Sequence, residues 1–337
     1  MTNKKGAGRY PFRWLAVGVG ILLIALPLGA DTLFNAYYLD LASRIVIIWI
    51  ALLGFALLAG YTGLVSFGHA IFFGLGAYSA AWLLLNVAPN LLLSLFAGAA
   101  VAAIVAVVIG YLCIRTQGVY FILLTLAFAE LGYTLVFNGG SVTGGRNGLY
   151  GIPKGDIGIP GISLFDWQDP VQAYYLVLSC FGASFLVARW ITRSPFGSTL
   201  VAVRDNEDRA AYLGYDVASI KRRSFTIAAV FAGFSGALWA HHQSFVSPEL
   251  LHWSLSGQFI IMTWLGGVGT LIGPLLGGAL LLSLADVVRE LERLGYEASY
   301  FMKNWLVFFG ILYIAVVLWA PQGLWGLAKR MFDRTRP

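Results

Sequence analysis

Glu130 is the residue whose type and position in this sequence most directly suggest chemistry. It stands inside the apolar run 119–137, and an ionisable side chain in apolar surroundings is costly enough that it usually serves a function. Glu130 could line a polar path or carry a proton; alternatively, it could be protonated or bonded to a neighbouring helix. His69, which follows a glycine-rich break, could contact a solute or simply bond backbone carbonyls.

Motifs for catalysis and for metal or nucleotide binding are absent from the sequence. It has no Gly-x-x-x-x-Gly-Lys-Ser/Thr phosphate loop, no His-Glu-x-x-His zinc site and no Gly-x-Ser-x-Gly elbow. Cys113 and Cys180 lie far apart in apolar runs, so they predict neither a disulfide framework nor a metal pair. We therefore expect no catalytic residue, no metal site, no cofactor held by this chain and no nucleic-acid partner.

Two glycine-interrupted segments occupy comparable places in the two halves of the chain. They cover 60–76 and 266–278. Broken helices in corresponding positions indicate a transport path, because the freed backbone groups and helix ends can line it. The alternative is close helix packing along a small-residue stripe of Gly269, Gly273 and Gly277. The candidate path residues are Gly63, Ser66, His69, Glu130, Gly267, Gly269 and Thr270.

The stretch 189–223 carries seven Lys or Arg residues between two apolar runs. Its Ser-Pro-Phe-Gly string at 194–197 can begin a short helix, and Gly214 is placed to end it. One stripe of this helix is expected to be apolar, formed by Leu200, Val203, Ala210, Ala211 and Leu213. Such a helix could dock into a groove of a partner protein or lie on lipid; four acidic residues between 205 and 216 favour the protein partner.

Composition assigns the chain to the membrane proteins. Of 337 residues, 59% are hydrophobic and 11% are charged, whereas a soluble domain carries about 25% charged residues. Apolar runs of the length that crosses a bilayer, about 20 residues, recur along the whole sequence. They lie near 14–30, 41–60, 63–87, 91–113, 119–137, 171–192, 224–246, 254–285 and 304–321.

Basic residues set the expected orientation, because Lys and Arg gather in cytoplasmic segments. Sixteen of the 22 lie in the N-terminal tail, the link 114–118, the stretch 189–223 and the C-terminal tail. The simplest way to place all four on one side is for 254–285 to form two helical pieces, at least one of them partial, with 286–303 facing outward. We therefore predict an all-α polytopic protein of about ten spanning or half-spanning helices with both termini cytoplasmic. The expected divisions are a tail at 1–13, a transmembrane domain at 14–326 with a cytoplasmic loop 193–223 and an outer loop 138–170, and a tail at 327–337.

An ordered set of short strings over residues 40–326 resembles the LivM-type permeases, the membrane subunits of branched-chain amino acid ABC importers. The strings are Gly-Tyr-Thr-Gly at 60–63, Ser-Phe-Gly-His-Ala at 66–70, Phe-Gly-Leu-Gly-Ala-Tyr at 73–78, Leu-Thr-Leu-Ala-Phe-Ala at 124–129, Thr-Gly-Gly-Arg-Asn-Gly-Leu-Tyr-Gly-Ile-Pro at 143–153, Ser-Pro-Phe-Gly at 194–197, Gly-Gly-Val-Gly-Thr-Leu-Ile-Gly-Pro at 266–274 and Pro-Gln-Gly-Leu at 321–324.

The resemblance implies a binding-protein-dependent importer in the bacterial inner membrane. Its cargo would be branched-chain amino acids or a related small polar solute. Implied partners are a second, LivH-type permease, two cytoplasmic ATPase subunits that bind the ATP and Mg²⁺, a solute-binding protein and membrane lipid. The implied coupling helix that seats on an ATPase comprises Arg204, Asp205, Asn206, Glu207, Asp208 and Arg209 and ends at Gly214.

A competing hypothesis is a secondary transporter that uses an ion gradient, with Glu130 as the proton carrier. An intramembrane enzyme is a third, but the sequence contains no catalytic constellation for it.

Overall fold

The computed structural model describes residues 36–140, 142–154, 167 and 169–293, together with 23–25, 27, 307, 310, 311, 313, 314, 318 and 323–327. The predicted tail 1–13 lies outside these residues, as do most of the tail 327–337, most of the runs 14–30 and 304–321, and part of the outer loop 138–170.

The described chain is almost entirely helical, as predicted. Its helices are α1 (Ala36–Phe55, continued by a π-helical turn Ala56–Tyr61), α2 (His69–Asn86), α3 (Leu91–Cys113), α4 (Val119–Phe137), α5 (Pro170–Arg193), α6 (Pro195–Asp205), α7 (Glu207–Tyr212), α8 (Val217–Gln243), α9 (Trp253–Gly266) and α10 (Ile272–Arg293). Within the described residues, seven helical segments are long and apolar enough to cross a membrane. The polytopic all-α class is therefore confirmed.

Polar caps explain where several of these helices begin. The side chains of Asn90, Asp169, Ser194, Asn206 and Asp216 each accept a hydrogen bond from a backbone N–H in the first turn that follows. A cap of this kind satisfies one of the donors that a helix start leaves unpaired. Short polar links between long apolar runs therefore fix the helix boundaries.

Helix α8 is the centre of the bundle and packs against α1, α2 and α3. Glycines allow the backbones to touch at this crossing. A Cβ added to Gly76 would lie 2.1 Å from the Gly233 carbonyl oxygen, and one added to Gly236 would lie 1.9 Å from that of Phe73. Small residues at helix crossings let membrane helices gain van der Waals contact where no hydrophobic driving force exists between them.

The run 254–285 forms two helical pieces, as predicted. Helix α9 has 14 residues and is therefore about 21 Å long at 1.5 Å per residue, short of the roughly 30 Å hydrocarbon core. It turns back at 267–271 and packs antiparallel to α10, because a Cβ on Gly266 would meet Gly273 and one on Gly277 would lie 1.9 Å from the Met262 carbonyl oxygen. Helix α10 continues past the apolar run to Arg293, so the start of the predicted outward segment 286–303 is helical.

The two ends of the bundle differ in charge. We call the end that carries residues 194–216 the basic end; the link 114–118 lies beside it, because Thr116 and Gln117 line the same cleft as Glu207 and Lys221. At the opposite end, a two-stranded antiparallel sheet joins β1 (Leu149–Tyr150) to β2 (Phe245–Val246). This sheet ties the predicted outer loop to the link after α8.

Candidate functional site

The two glycine breaks, far apart in sequence, meet at the basic end. A Cβ on Gly60 would lie 3.0 Å from the backbone nitrogen of Gly269. Arg204, from the end of α6, reaches both: its Nη1 donates a 2.7 Å hydrogen bond to the Gly60 carbonyl oxygen and lies 3.6 Å from the Cβ position of Gly269. The guanidinium also lies at the C-terminal end of α1, where its positive charge interacts favourably with the negative end of the helix dipole. Arg204 therefore links the predicted coupling segment to both breaks.

The first break is a non-helical stretch at 62–68 between α1 and α2, and three polar groups within it or beside it bond to three other helices. Thr62 exchanges a hydrogen bond with Ser224 of α8, and the backbone N–H of Phe67 donates to Thr125 of α4. The N–H of Ala70 donates to Ser256 of α9. Irregular backbone at membrane depth is tolerated only when protein or water satisfies it. Here the side chains of neighbouring helices do so.

The second break, residues 267–271, is a tight turn between α9 and α10. Gly267 and Gly269 have positive φ values of 120° and 89°, a conformation that glycine adopts at little cost. Thr270 closes the turn, since its hydroxyl accepts from the N–H of Gly273 at 3.0 Å. The packing alternative also holds in part, because Gly273 and Gly277 face the backbone of α9 whereas Gly269 lies in the turn.

Not all the predicted path residues gather at this junction. Gly63 does, with its Cβ position 3.0 Å from Arg204 Cγ, whereas Ser66 is buried and accepts a hydrogen bond from the N–H of Gly68. His69 is fully buried, and its ring packs edge-on against Phe55, Phe72 and Phe259. Neither ring nitrogen of His69 has a hydrogen-bond partner among the described residues. This geometry favours a packing role for His69 over a solute contact.

Glu130 lies apart from that junction, toward the opposite end. Its Oε2 is 4.0 Å from Nε2 of His252, the residue that caps α9. Tyr133, one turn further along α4, packs edge-on against the same imidazole. Oε2 itself has no hydrogen-bond partner among the described groups. A half-exposed carboxylate beside two aromatic rings can contact a cationic or hydrogen-bonding group of a passing solute.

The segment 194–216, which we call the elbow, folds as two short helices. Leu200, Val203 and Ala210 pack with Ile220 of α8 in a small apolar cluster of their own. The expectation of one continuous stripe was wrong, because Asn206 is extended (φ −164°, ψ 105°) and restarts the helix as α7. The rotation leaves Ala211 and Leu213 exposed. Gly214 ends α7 as predicted, with φ of 88°.

The outer face of the elbow is apolar at its tip and charged beside it. Tyr212 and Leu213 are 91% and 72% exposed, and Asp208 and Arg209 are exposed next to them. Glu207 differs from these because it pairs with Lys221, a buried cation of α8. The elbow is thus anchored to α8 on one face and presents an unpartnered face on the other.

Sequence reasoning missed a chain of charges at the opposite end, which joins α1, α8 and α10. Arg44 lies between Asp40, at 3.0 Å, and Asp286, at 3.6 Å. Asp40 also contacts His242, at 2.9 Å, and Asp286 accepts a hydrogen bond from the hydroxyl of Tyr37. The sequence did contain one signal for this cluster. Arg44 is a cation within the apolar run 41–60, and, as for Glu130, an ionisable side chain in such a run usually serves a function.

No group of three or more His, Cys, Asp or Glu side chains is placed to hold a metal ion in the part of the chain that the structure describes.

Comparison with known proteins relates the chain to one family. Residues 37–317 match the family described as branched-chain amino acid transport system / permease component. The high-affinity branched-chain amino acid transport system permease protein LivM of Escherichia coli strain K12 is 31% identical over 322 residues, which are 90% of this chain and 73% of that protein. The protein of the same name from Salmonella typhimurium strain LT2 is 33% identical over 303 residues, 85% of this chain and 69% of the relative. No solved structure matches the chain.

Proposed function

Because the chain belongs to the branched-chain amino acid transport permease family, we propose that it is a permease subunit of a binding-protein-dependent ABC importer. It is a multi-pass membrane protein and a transport subunit, not an enzyme. In the proposal it sits in the bacterial inner membrane and forms part of the path for branched-chain amino acids or a related small polar solute. A second, LivH-type permease, two cytoplasmic ATPase subunits and a solute-binding protein complete the importer.

The observation that carries the mechanism is the hydrogen bond from Arg204 to the Gly60 carbonyl, together with the close approach of the same guanidinium to Gly269. The exposed tip of the elbow, Tyr212 and Leu213, seats on an ATPase subunit, and ATP binding there displaces the elbow. Arg204 transmits that displacement to the C-terminal end of α1 and to the turn between α9 and α10. The first segment is a π-helical turn and the second is non-helical, so both can change conformation without breaking regular α-helix.

Coupling of this kind requires the elbow to make different contacts in the inward-open and outward-open states. A partner that bound both states equally would shift no population. The hydrogen bond from Arg204 to the Gly60 carbonyl is the proposed state-dependent contact, because it joins an element that the ATPase moves to the end of a transmembrane helix.

The test is ATP-driven uptake of radiolabelled leucine by proteoliposomes that contain the complete importer. Replacing Arg204 with Ala should lower uptake at least tenfold while leucine-independent ATP hydrolysis persists, because the ATPases remain but their movement no longer reaches the breaks. Arg193→Ala is the matched control, an exposed cation at the end of α5 beside the elbow. Wild-type uptake by Arg204→Ala would remove Arg204 from the mechanism.

The same assay addresses the competing hypothesis of an ion-gradient-driven transporter with Glu130 as proton carrier, for which the comparisons give no support. Proteoliposomes containing this chain without ATPases, under an imposed proton gradient, should accumulate no leucine. Accumulation under those conditions would overturn the importer proposal.

A further inference from the structure

A cavity of about 180 Å³ lies between α1, α8, α9 and α10, near the charge chain of the opposite end. Nine of its thirteen lining residues are apolar, among them Ile48, Met262 and Leu282. Arg44 and Asp286 line the same space, as do the exposed Gln258 and Arg289. Small-molecule sites typically combine apolar walls with a few convergent polar groups, at volumes of roughly 300–1,000 Å³ for drug-sized ligands. A smaller cavity of this composition suits a smaller solute.

The two opposite charges in the wall are close but not fully paired with each other. Arg44 Nη2 lies 3.6 Å from Asp286 Oδ1, whereas a charge-assisted N–H···O hydrogen bond is about 2.7–2.9 Å long. Arg44 Nε is 3.0 Å from Asp40 Oδ2, yet its alignment is too poor to form a hydrogen bond, so the nitrogen is buried without a partner among the described groups. Asp286 is 95% buried, with a relative exposure of 5%. Both side chains therefore keep bonding capacity that a ligand could use.

We propose that this cavity is a subsite for a zwitterionic aliphatic solute of amino-acid size. The carboxylate of the solute faces Arg44 and its ammonium faces Asp286. Its side chain lies against Ile48, Met262 and Leu282. The assignment rests on the proposed transport function and adds to it a binding place within this one chain.

Charge balance favours a zwitterion over a simple anion or cation. An anion alone would add a negative charge next to the carboxylates of Asp286 and Asp40, and a cation alone would add a positive charge next to the guanidinium of Arg44. A ligand that carries both charges places an opposite charge against the buried Asp286 and against the partly buried Arg44, which offsets the cost of removing charges from water. The apolar part of the wall then favours an apolar side chain, because Ile48, Met262 and Leu282 offer a polar side chain no hydrogen bond.

The position of the cavity also suits a solute delivered from the side away from the elbow. Arg44 is eight residues into α1, which begins at the opposite end, and is therefore about 12 Å along it at 1.5 Å per residue. The Gly60 carbonyl that Arg204 holds is at the other end of the same helix. Helix α1 thus joins the proposed subsite to the segment that the elbow moves.

The test is direct binding of tritiated leucine to the full-length chain in lipid nanodiscs, in competition with two analogues. Leucinamide lacks the carboxylate and 4-methylpentanoate lacks the ammonium, so each should bind at least tenfold more weakly than leucine. Asp286→Asn should weaken leucine at least tenfold and bring leucine and 4-methylpentanoate to within about threefold of each other.

A second variant leaves the charges intact. Leu282→Trp fills the cavity and should weaken leucine binding at least tenfold, whereas Leu280→Trp, at a partly exposed position of the same helix outside the cavity, should bind as the wild type does. If Asp286→Asn does not fold, the comparison of Leu282→Trp with Leu280→Trp still tests whether leucine binds in the cavity. Absence of leucine binding to the wild-type chain, or unchanged binding by Leu282→Trp, would overturn the subsite. ATP-driven uptake of leucine by the complete importer is measured separately. That assay tests the transport function whether or not the subsite binds leucine.

Discussion

Lys221 is a buried cation, with a side chain 6% exposed, whose charge is balanced by Glu207 of the elbow. Removing one partner of such a pair leaves a charge without compensation in a poorly solvated place. We expect Glu207→Ala to destabilise the elbow by about 1–3 kcal/mol, a modest figure for an ion pair because Glu207 itself is half-exposed. Thermal unfolding of the purified chain measures the effect.

Glu207→Gln and the double variant Glu207→Ala with Lys221→Met are the controls for that prediction. The first keeps a hydrogen bond to Lys221 and the second removes the unpaired charge, so both should recover part of the lost stability. Equal melting temperatures for Glu207→Ala and the wild type would contradict the prediction. The family resemblance assigned Glu207 to the ATPase interface, but its carboxylate already has a partner in α8, which the sequence alone does not show.

The role of Glu130 depends on a single carboxylate, whose Oε2 lies 4.0 Å from Nε2 of His252. If it contacts the passing solute, Glu130→Gln should raise the KM for leucine several-fold in ATP-driven uptake while the rate of ATP hydrolysis is unchanged. Glu249→Gln removes an exposed carboxylate from the short helical turn next to His252 and should leave KM unchanged. Identical KM values for both variants and the wild type would exclude Glu130 from the path.

The elbow shows which helix starts and ends can be predicted from local sequence patterns and which cannot. The Ser194 cap, the start at Pro195 and the stop at Gly214 follow from local chemistry and are all present. The break at Asn206 was missed, because Asn can either continue a helix or cap a new one, and the choice depends on the packing of Ala210 against α8. Two features of the sequence were enough to predict the hairpin of α9 and α10. All the basic segments had to lie on one side of the membrane, and the glycine-rich string at 266–274 supplied a place for the chain to turn back.

The exposed tip of the elbow predicts a docking contact that side-chain truncation should weaken. Tyr212→Ala combined with Leu213→Ala removes two largely exposed apolar side chains, and buried interface aromatics often contribute 2 kcal/mol or more. Affinity for the ATPase subunits should therefore fall at least tenfold, measured by co-purification and by stimulation of ATP hydrolysis, while the melting temperature stays unchanged.

Tyr120→Ala is the matched control for the elbow tip, since Tyr120 is 76% exposed in the first turn of α4, beside the link at the basic end. It should keep wild-type affinity. If the elbow variant also copurifies with the ATPases in full yield, the partner seats elsewhere on this end.

At the scale of the whole molecule, long-range pairing is what the sequence could not supply. Tyr37 and Asp286 are 249 residues apart, and Arg204 and Gly60 are 144 residues apart. Hydropathy predicts that each of these residues lies in or beside a particular helix, but not which helices become neighbours. Both contacts follow from the packing of α1 against α10 and of the elbow against the end of α1, so they required the three-dimensional arrangement.

The charge difference between the two ends of the bundle makes a prediction about orientation. Basic residues gather in cytoplasmic segments, so the elbow should face the cytoplasm and the sheet of β1 and β2 should face outward.

Single cysteines at Tyr212, in the elbow, and Tyr150, in the sheet, would report on the two ends, since both side chains are exposed. The native Cys113 and Cys180 are first replaced with Ala so that each variant has one thiol. A membrane-impermeant maleimide should label the Tyr150→Cys variant in spheroplasts, and the Tyr212→Cys variant only after the membrane is permeabilised. The reverse pattern would place the elbow away from any cytoplasmic ATPase, and the coupling route through Arg204 could not operate.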